Sequence, residues 1–169
     1  MNKAIAEMIN LVDRNFTCLR IDFADPSWRE SIPSEPGWYV IKTDTPLGDL
    51  QSVGPRKHKA HIDIPGTIRT ATTLLSLGIA ISQINAEEYV VYNGEAKNLR
   101  ARAREHECGH AKTYCLALSE YKILAKYRWT FCYVALSTCQ VIPGDDKLVR
   151  LAVEQAWRTV HGWPILSRK

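Results

Sequence analysis

The segment that most constrains this fold runs from Tyr89 to His106: Tyr-Val-Val-Tyr-Asn-Gly-Glu-Ala-Lys-Asn-Leu-Arg-Ala-Arg-Ala-Arg-Glu-His. Its aromatic and β-branched opening predicts a strand over about 88–93, Gly94 predicts a turn, and the rest predicts a helix over about 96–106. On such a helix Arg102 and His106 are four residues apart and share a face. A strand that brings a tyrosine to a turn, followed by a cationic helix face, is suited to holding a phosphodiester.

The remaining chain sets the frame for this segment. At 169 residues and 46% apolar composition it suffices for one domain with its own core. No apolar run approaches the roughly 18–20 residues needed to cross a bilayer. The opening Met1 to Glu7 is amphipathic and lacks a signal-peptide core, so a cytoplasmic protein away from membranes is expected. A formal charge of +4 permits nucleic-acid binding without demanding it. Five cysteines with no Cys-x-x-Cys pair predict reduced thiols. Cys108, His110 and Cys115 have the wrong spacing for a zinc ribbon or finger, and Cys115 falls on an apolar helix face.

Along the chain, an N-terminal arm (1–35) holds a helix from Lys3 to Asp13 and a short strand over Leu19–Phe23, stopped by Asp25-Pro26-Ser27. After the turn residues Pro33 to Gly37, Trp38 to Lys42 is a strand by composition. An insertion over 44–88 follows. Its first part is a basic loop with Arg56, Lys57, His58, Lys59 and His61. Its second part, Ile68 to Ile84, reads as a helix buried in the core or in a subunit interface, since no charge follows Arg69. Beyond the Arg/His helix come a second helix (Tyr114 to Lys126), a third strand (Trp129 to Leu136), a turn at Pro143 to Asp146 and a helix from Lys147 to Val160 that ends at Gly162, Trp163 and Pro164. The order of elements gives an α+β domain: a three-stranded antiparallel sheet flanked by helices, with a long insertion between the first two motif strands.

Tyr92-Asn93-Gly94, the helix carrying Arg102 and His106, and the upstream Gly37-Trp38-Tyr39 together resemble the signature of the GIY-YIG nucleases. The resemblance covers about 36–43 and 88–167, and it implies roles residue by residue. Tyr39 would be a general base or a water-orienting phenol, with Lys42 or Lys97 able to share the work. Tyr92 would position the nucleophile or the scissile phosphate. Arg102 would neutralise the transition state, and His106 would bond the phosphate or relay a proton. Glu154 would be the single carboxylate holding Mg²⁺ or Mn²⁺, a hard cation that otherwise keeps water and substrate oxygens. Gly37 and Gly94 would be the motif's turn glycines.

Three departures stand out. Asn93 takes an apolar position and must find a partner or stay wet. Ser167 stands where Asn is common. His110 lies about where some members carry an auxiliary histidine. Arg56, Lys57, His58 and Lys59 of the insertion, with Lys97, Arg100 and His110, are the expected DNA contacts. The resemblance implies a metal-dependent endonuclease on double-stranded DNA. The embedded insertion, and the lack of room for a separate recognition domain, point toward a restriction-type enzyme acting as a dimer or tetramer. A low-specificity phage or repair nuclease, a non-catalytic nucleic-acid-binding module and a protein-interaction domain are the alternatives.

Overall fold

Near-continuous runs of β-branched and aromatic residues build strands that are covered on both faces, and the periodic apolar segments become the covering helices. A computed structural model describes residues 3–83, 87–139 and 147–167. Its elements are α1 (Lys3–Arg14), β1 (Thr17–Arg20), β2 (Gly37–Thr43), α2 (Leu47–Ser52), α3 (Ile64–Ser76), β3 (Ala80–Ile81), β4 (Tyr89–Ala96), α4 (Leu99–Cys108), β5 (Trp129–Ala135), α5 (Lys147–His161) and β6 (Trp163–Pro164), with short 3₁₀ turns between some of them. The α+β class is as expected.

The main sheet has four strands in the order β1-β5-β2-β4, all antiparallel, and not the three expected. The extra strand is β1 of the N-terminal arm, one edge of the sheet. It begins at Thr17 and ends at Arg20, short of the expected Phe23, because the Asp22 carboxylate accepts the Ala24 and Asp25 amides and turns the chain. Cys18 stands opposite Cys132 of β5, and the two form a disulfide. This corrects the expectation of reduced thiols: cross-strand register brings together two cysteines that are far apart in sequence. Cys108, Cys115 and Cys139 are free.

Alternation along the strands divides the core. On one face Trp38, Val40, Cys132 and Val134 pack under Ile9 and Val12 of α1 and Val153 and Trp157 of α5. On the other, Tyr39, Ile41, Tyr92 and Phe131 pack under Leu99 and Ala103 of α4. Strand β4 forms the second edge, and outward backbone groups along it find partners. Val91 O accepts the Leu166 N–H, Asn93 N–H reaches Ser167 Oγ, and Glu95 N–H reaches Glu154 Oε2. Covering an edge in this way closes it to pairing with another chain.

Three helices differ from expectation. In the insertion, α3 starts earlier, at Ile64, behind Asp63 and with Pro65 in its first turn, the place where proline's missing N–H costs nothing. It stops at Ser76, and Gly78 follows in the left-handed region at φ 67°, after which Ala80–Ile81 pair in parallel with Trp163–Pro164. Ile68 and Ala71 are core residues, whereas Leu77 and Ile79 are 65% and 48% exposed. Ile84 lies outside the described residues, as does the turn at 143–146. The helix expected over Tyr114–Lys126 is instead two 3₁₀ turns, Leu118–Glu120 and Lys122–Lys126. Ala117 interrupts the segment at φ 51°, and Cys115 bridges to His61 of the insertion. The Arg/His helix begins at Leu99, because Asn98 caps it by accepting the Ala101 amide at 2.9 Å.

Candidate active site

Strands β2 and β4 pair directly, with Tyr39 opposite Gly94 and Ile41 opposite Tyr92. The pleat therefore puts both tyrosine rings on the α4 face, stacked with centroids 6.1 Å apart. Neither motif glycine is a turn residue. Gly37 opens β2 and Gly94 lies inside β4, which runs on to Ala96. Gly94 serves close approach: a Cβ there would sit 2.5 Å from Tyr39 Oη and 2.7 Å from its Cζ.

Arg102 and His106 meet Tyr39 from α4. Arg102 Nε donates to Tyr39 Oη at 2.9 Å, and its terminal nitrogens donate to Tyr92 Oη at 3.4 Å, Glu105 at 2.8 Å and the Tyr114 carbonyl at 2.7 Å. His106 Nε2 lies 3.0 Å from Tyr39 Oη, and His106 Nδ1 faces the Leu116 N–H at 3.3 Å. A backbone N–H can only donate, so Nδ1 is the acceptor and the neutral ring carries its proton on Nε2, aimed at Tyr39. Tyr39 Oη thus accepts from two donors and retains its own hydrogen for a third group.

The charges follow from this setting. Burial lowers the His106 pKa well below 6.5, and the Arg102 charge adds to the effect, so the imidazole is neutral. Burial raises the Tyr39 phenol well above 10.0 despite the pull of Arg102, so the phenol keeps its proton at neutral pH. Burial opposes the charge on Arg102, but the two phenols and Glu105 outweigh it and the guanidinium stays charged. Tyr39 and His106 are only 1% and 0% exposed, leaving Arg102 and Tyr92 nearer the surface.

Glu154 reaches the edge of this cluster from α5, lining a small pocket together with Tyr39, Asn93 and Gly94. Both of its oxygens are engaged. Oε1 pairs with Arg158 of the same helix, and Oε2 accepts the Glu95 amide at 3.1 Å. Burial raises the Glu154 pKa while Arg158 lowers it. Among the described residues no three His, Cys, Asp or Glu side chains converge as a metal-ligand group. A lone carboxylate with a guanidinium already on it does not fit a resident divalent ion, since the ion would have to displace Arg158 and leave that charge buried without its carboxylate.

Sequence reasoning missed the surroundings of Glu154. Arg158 Nε donates to Asn93 Oδ1 at 2.7 Å, Ser167 Oγ donates to the same oxygen at 3.1 Å, and Arg150 pairs with Glu95 at 2.8 Å. Asn93, a polar intruder in the strand, thereby finds its partners. Two signals pointed here: the i, i+4 spacing of Glu154 and Arg158, and the partner that Asn93 requires.

The expected DNA contacts divide. Lys57, Lys59 and Lys97 are exposed. Arg56 is exposed but donates to the Lys59 and His61 carbonyls of its own loop, and His58 Nδ1 accepts the Ala60 amide. His61 is buried and paired with Glu120 at 3.3 Å. Arg100 clamps the N-terminal arm through the Ile32 and Glu30 carbonyls at 2.6 and 2.9 Å. It nonetheless lines, with Arg29, His110 and the exposed Arg104, an open cleft of about 490 Å³ beside α4. Arg104 was not singled out from the sequence. The basic loop is anchored beside the site, because Ile62 N–H donates to the carbonyl of Cys115, which lies between Tyr114, whose carbonyl takes Arg102, and Leu116, whose N–H donates to His106.

No known protein family, no curated protein and no solved structure matches this chain.

Proposed function

We propose that this chain is a phosphodiester hydrolase of the GIY-YIG type, a DNA endonuclease whose chemistry rests on Tyr39, Tyr92, Arg102 and His106. The observation that carries the reading is one guanidinium donating to both motif phenols, with a histidine closing on the same Tyr39 oxygen. Hydrolysis puts a water oxygen on phosphorus, breaks a P–O ester bond and gathers charge on the other oxygens. Arg102 is the permanent cation for that charge. Tyr39, held by two donors with its own O–H left over, acts as a water-orienting phenol and not as a base. Neutral His106 fixes the phenol through Nε2–H. The exposed Lys57, Lys59 and Lys97, with Arg104 and His110 in the cleft, supply sequence-independent grip on the backbone. Cutting both strands with one such site per chain calls for two copies, and the exposed Leu77 and Ile79 are apolar surface for their contact.

One observation favours a second reading, a non-catalytic nucleic-acid-binding module: Tyr39 and His106 are sealed from solvent. Incubating the purified protein with unmodified plasmid and phage DNA, in Mg²⁺, Mn²⁺ or EDTA, separates the two. Discrete bands support a restriction-type nuclease, and a smear supports the low-specificity form. Tight binding with no cleavage in any buffer would leave the module and end the nuclease reading.

A further inference from the structure

We infer that Arg158 is the cation of the Glu154 position: it takes the place on that carboxylate which a divalent ion would need, and Glu154 is a positioning residue. The inference rests on reading the cluster as a phosphodiester site, but its test uses no DNA.

Three observations support it. First, Glu154 has no idle oxygen: Arg158 holds Oε1 and the Glu95 amide holds Oε2. Second, Arg158 is built in. Its Nε donates to Asn93 Oδ1 at 2.7 Å, and its guanidinium lies 4.7 Å from the centre of the Trp163 ring. Asn93 is itself clamped by Ser167, which accepts the Asn93 N–H at 3.0 Å and donates to its Oδ1 at 3.1 Å. The side chain therefore cannot swing away without breaking contacts to strand β4, to the aromatic ring and to the carboxylate together. Third, Glu154 already has a task in the fold, since it satisfies the last outward amide of edge strand β4 beside Gly94 and Tyr39.

The consequence is chemical. With the carboxylate neutralised by a guanidinium fixed to the protein, the charge on a bound phosphodiester is met by Arg102 without an ion bound at Glu154. Arginine suits such a place because its charge is permanent and its planar fork can bond the carboxylate and the Asn93 amide oxygen at once. Glu154 acts at a distance, by holding Arg158 and the Glu95 end of β4 and, through that strand, the backbone under Tyr39.

The test is a Mn²⁺ titration followed by electron paramagnetic resonance on the full-length protein. The wild type is compared with Glu154→Gln, Arg158→Met and the double variant Arg158→Met/Glu154→Gln. The expected result is the same Mn²⁺ curve for wild type and Glu154→Gln. Arg158→Met should gain a site at least tenfold tighter, which the double variant loses. A wild-type Mn²⁺ site that Glu154→Gln removes would overturn the inference. So would an Arg158→Met variant that folds but gains nothing. If Arg158→Met does not fold, the wild type and Glu154→Gln curves alone still decide. An absence of cleavage, by contrast, would count against the nuclease reading and leave these curves unaltered.

Discussion

Gly94→Ala tests the packing of the site with a single methyl. The Gly94 backbone is not in the left-handed region, so alanine is free to adopt it and any effect must come from the side chain. An added Cβ would lie 2.5 Å from Tyr39 Oη, 2.7 Å from Cζ and 3.0 Å from Cε1. The ring cannot retreat easily. It is stacked on Phe131 at 5.2 Å and on Tyr92 at 6.1 Å, and its oxygen is fixed by Arg102 and His106. Overpacking of this kind costs about 1–3 kcal/mol. Pulling Tyr39 Oη from its two donors adds about 1–3 kcal/mol, more for the charged one. The sum is roughly 2–6 kcal/mol, and at about 2–4 °C per kcal/mol for a chain of this size Tm should fall by about 4–24 °C. Urea or thermal unfolding measures it. A double-mutant cycle with Tyr39→Ala, which removes the ring, should recover at least about 1 kcal/mol of the loss as coupling. A Gly94→Ala protein within about 0.5 kcal/mol of wild type, or strict additivity with Tyr39→Ala, would refute the argument that glycine is there to admit the tyrosine.

Four further outcomes are expected. Arg102→Ala should slow DNA cleavage by about 10²–10³-fold, the scale of one lost transition-state donor, while DNA binding measured by gel shift falls far less. Stability should have an acid limb from His106: its folded pKa lies below the ordinary 6.5, so the unfolded chain takes up the proton first, and stability present above pH 6.5 is lost as pH falls toward the folded value. Tyr39 gives the alkaline counterpart, with stability lost as pH rises above 10.0, and urea unfolding across pH should show the acid limb flatten in His106→Phe and the alkaline limb flatten in Tyr39→Phe. Reducing the Cys18–Cys132 bond, which spans 114 residues, should lower the urea-unfolding free energy by about 2–4 kcal/mol, and Cys18→Ser should reproduce the loss without reductant.

The strands were legible where both faces are covered. Trp38–Ile41, Tyr89–Tyr92 and Phe131–Val134 are apolar throughout because helices lie above and below them. The segment from Tyr114 to Lys126 misled because Leu116, Leu118, Tyr121 and Leu124 have spacings that suit a helix. They reach the same core from 3₁₀ turns, and the backbone that decides between the two is held by Ala117 and by the Cys115 bridge to the insertion, which no local pattern announces. Likewise β1 was visible as alternation, but its place beside β5 is a long-range pairing.

The candidate site was legible where spacing is enough. Tyr39 and Tyr92 meet because their strands are neighbours, and Arg102 and His106 meet them because they share a helix face. The role of Glu154 was not legible. Arg150 and Arg158 were not singled out from the sequence, yet both are buried in ion pairs against the sheet edge. Burial of a charge depends on what the rest of the chain brings to it, here Asn93, Glu95 and Ser167 from two other segments.

The most direct measurement is the single-turnover rate of DNA cleavage by Tyr39→Phe against wild type, with folding checked by circular dichroism and DNA affinity by gel shift. The substitution removes only the oxygen on which Arg102 and His106 converge. A rate at least about 10²-fold lower, with fold and affinity retained, is the predicted result. Cleavage at the wild-type rate would contradict it: Tyr39 would then be a packing residue, and the active site would lie elsewhere.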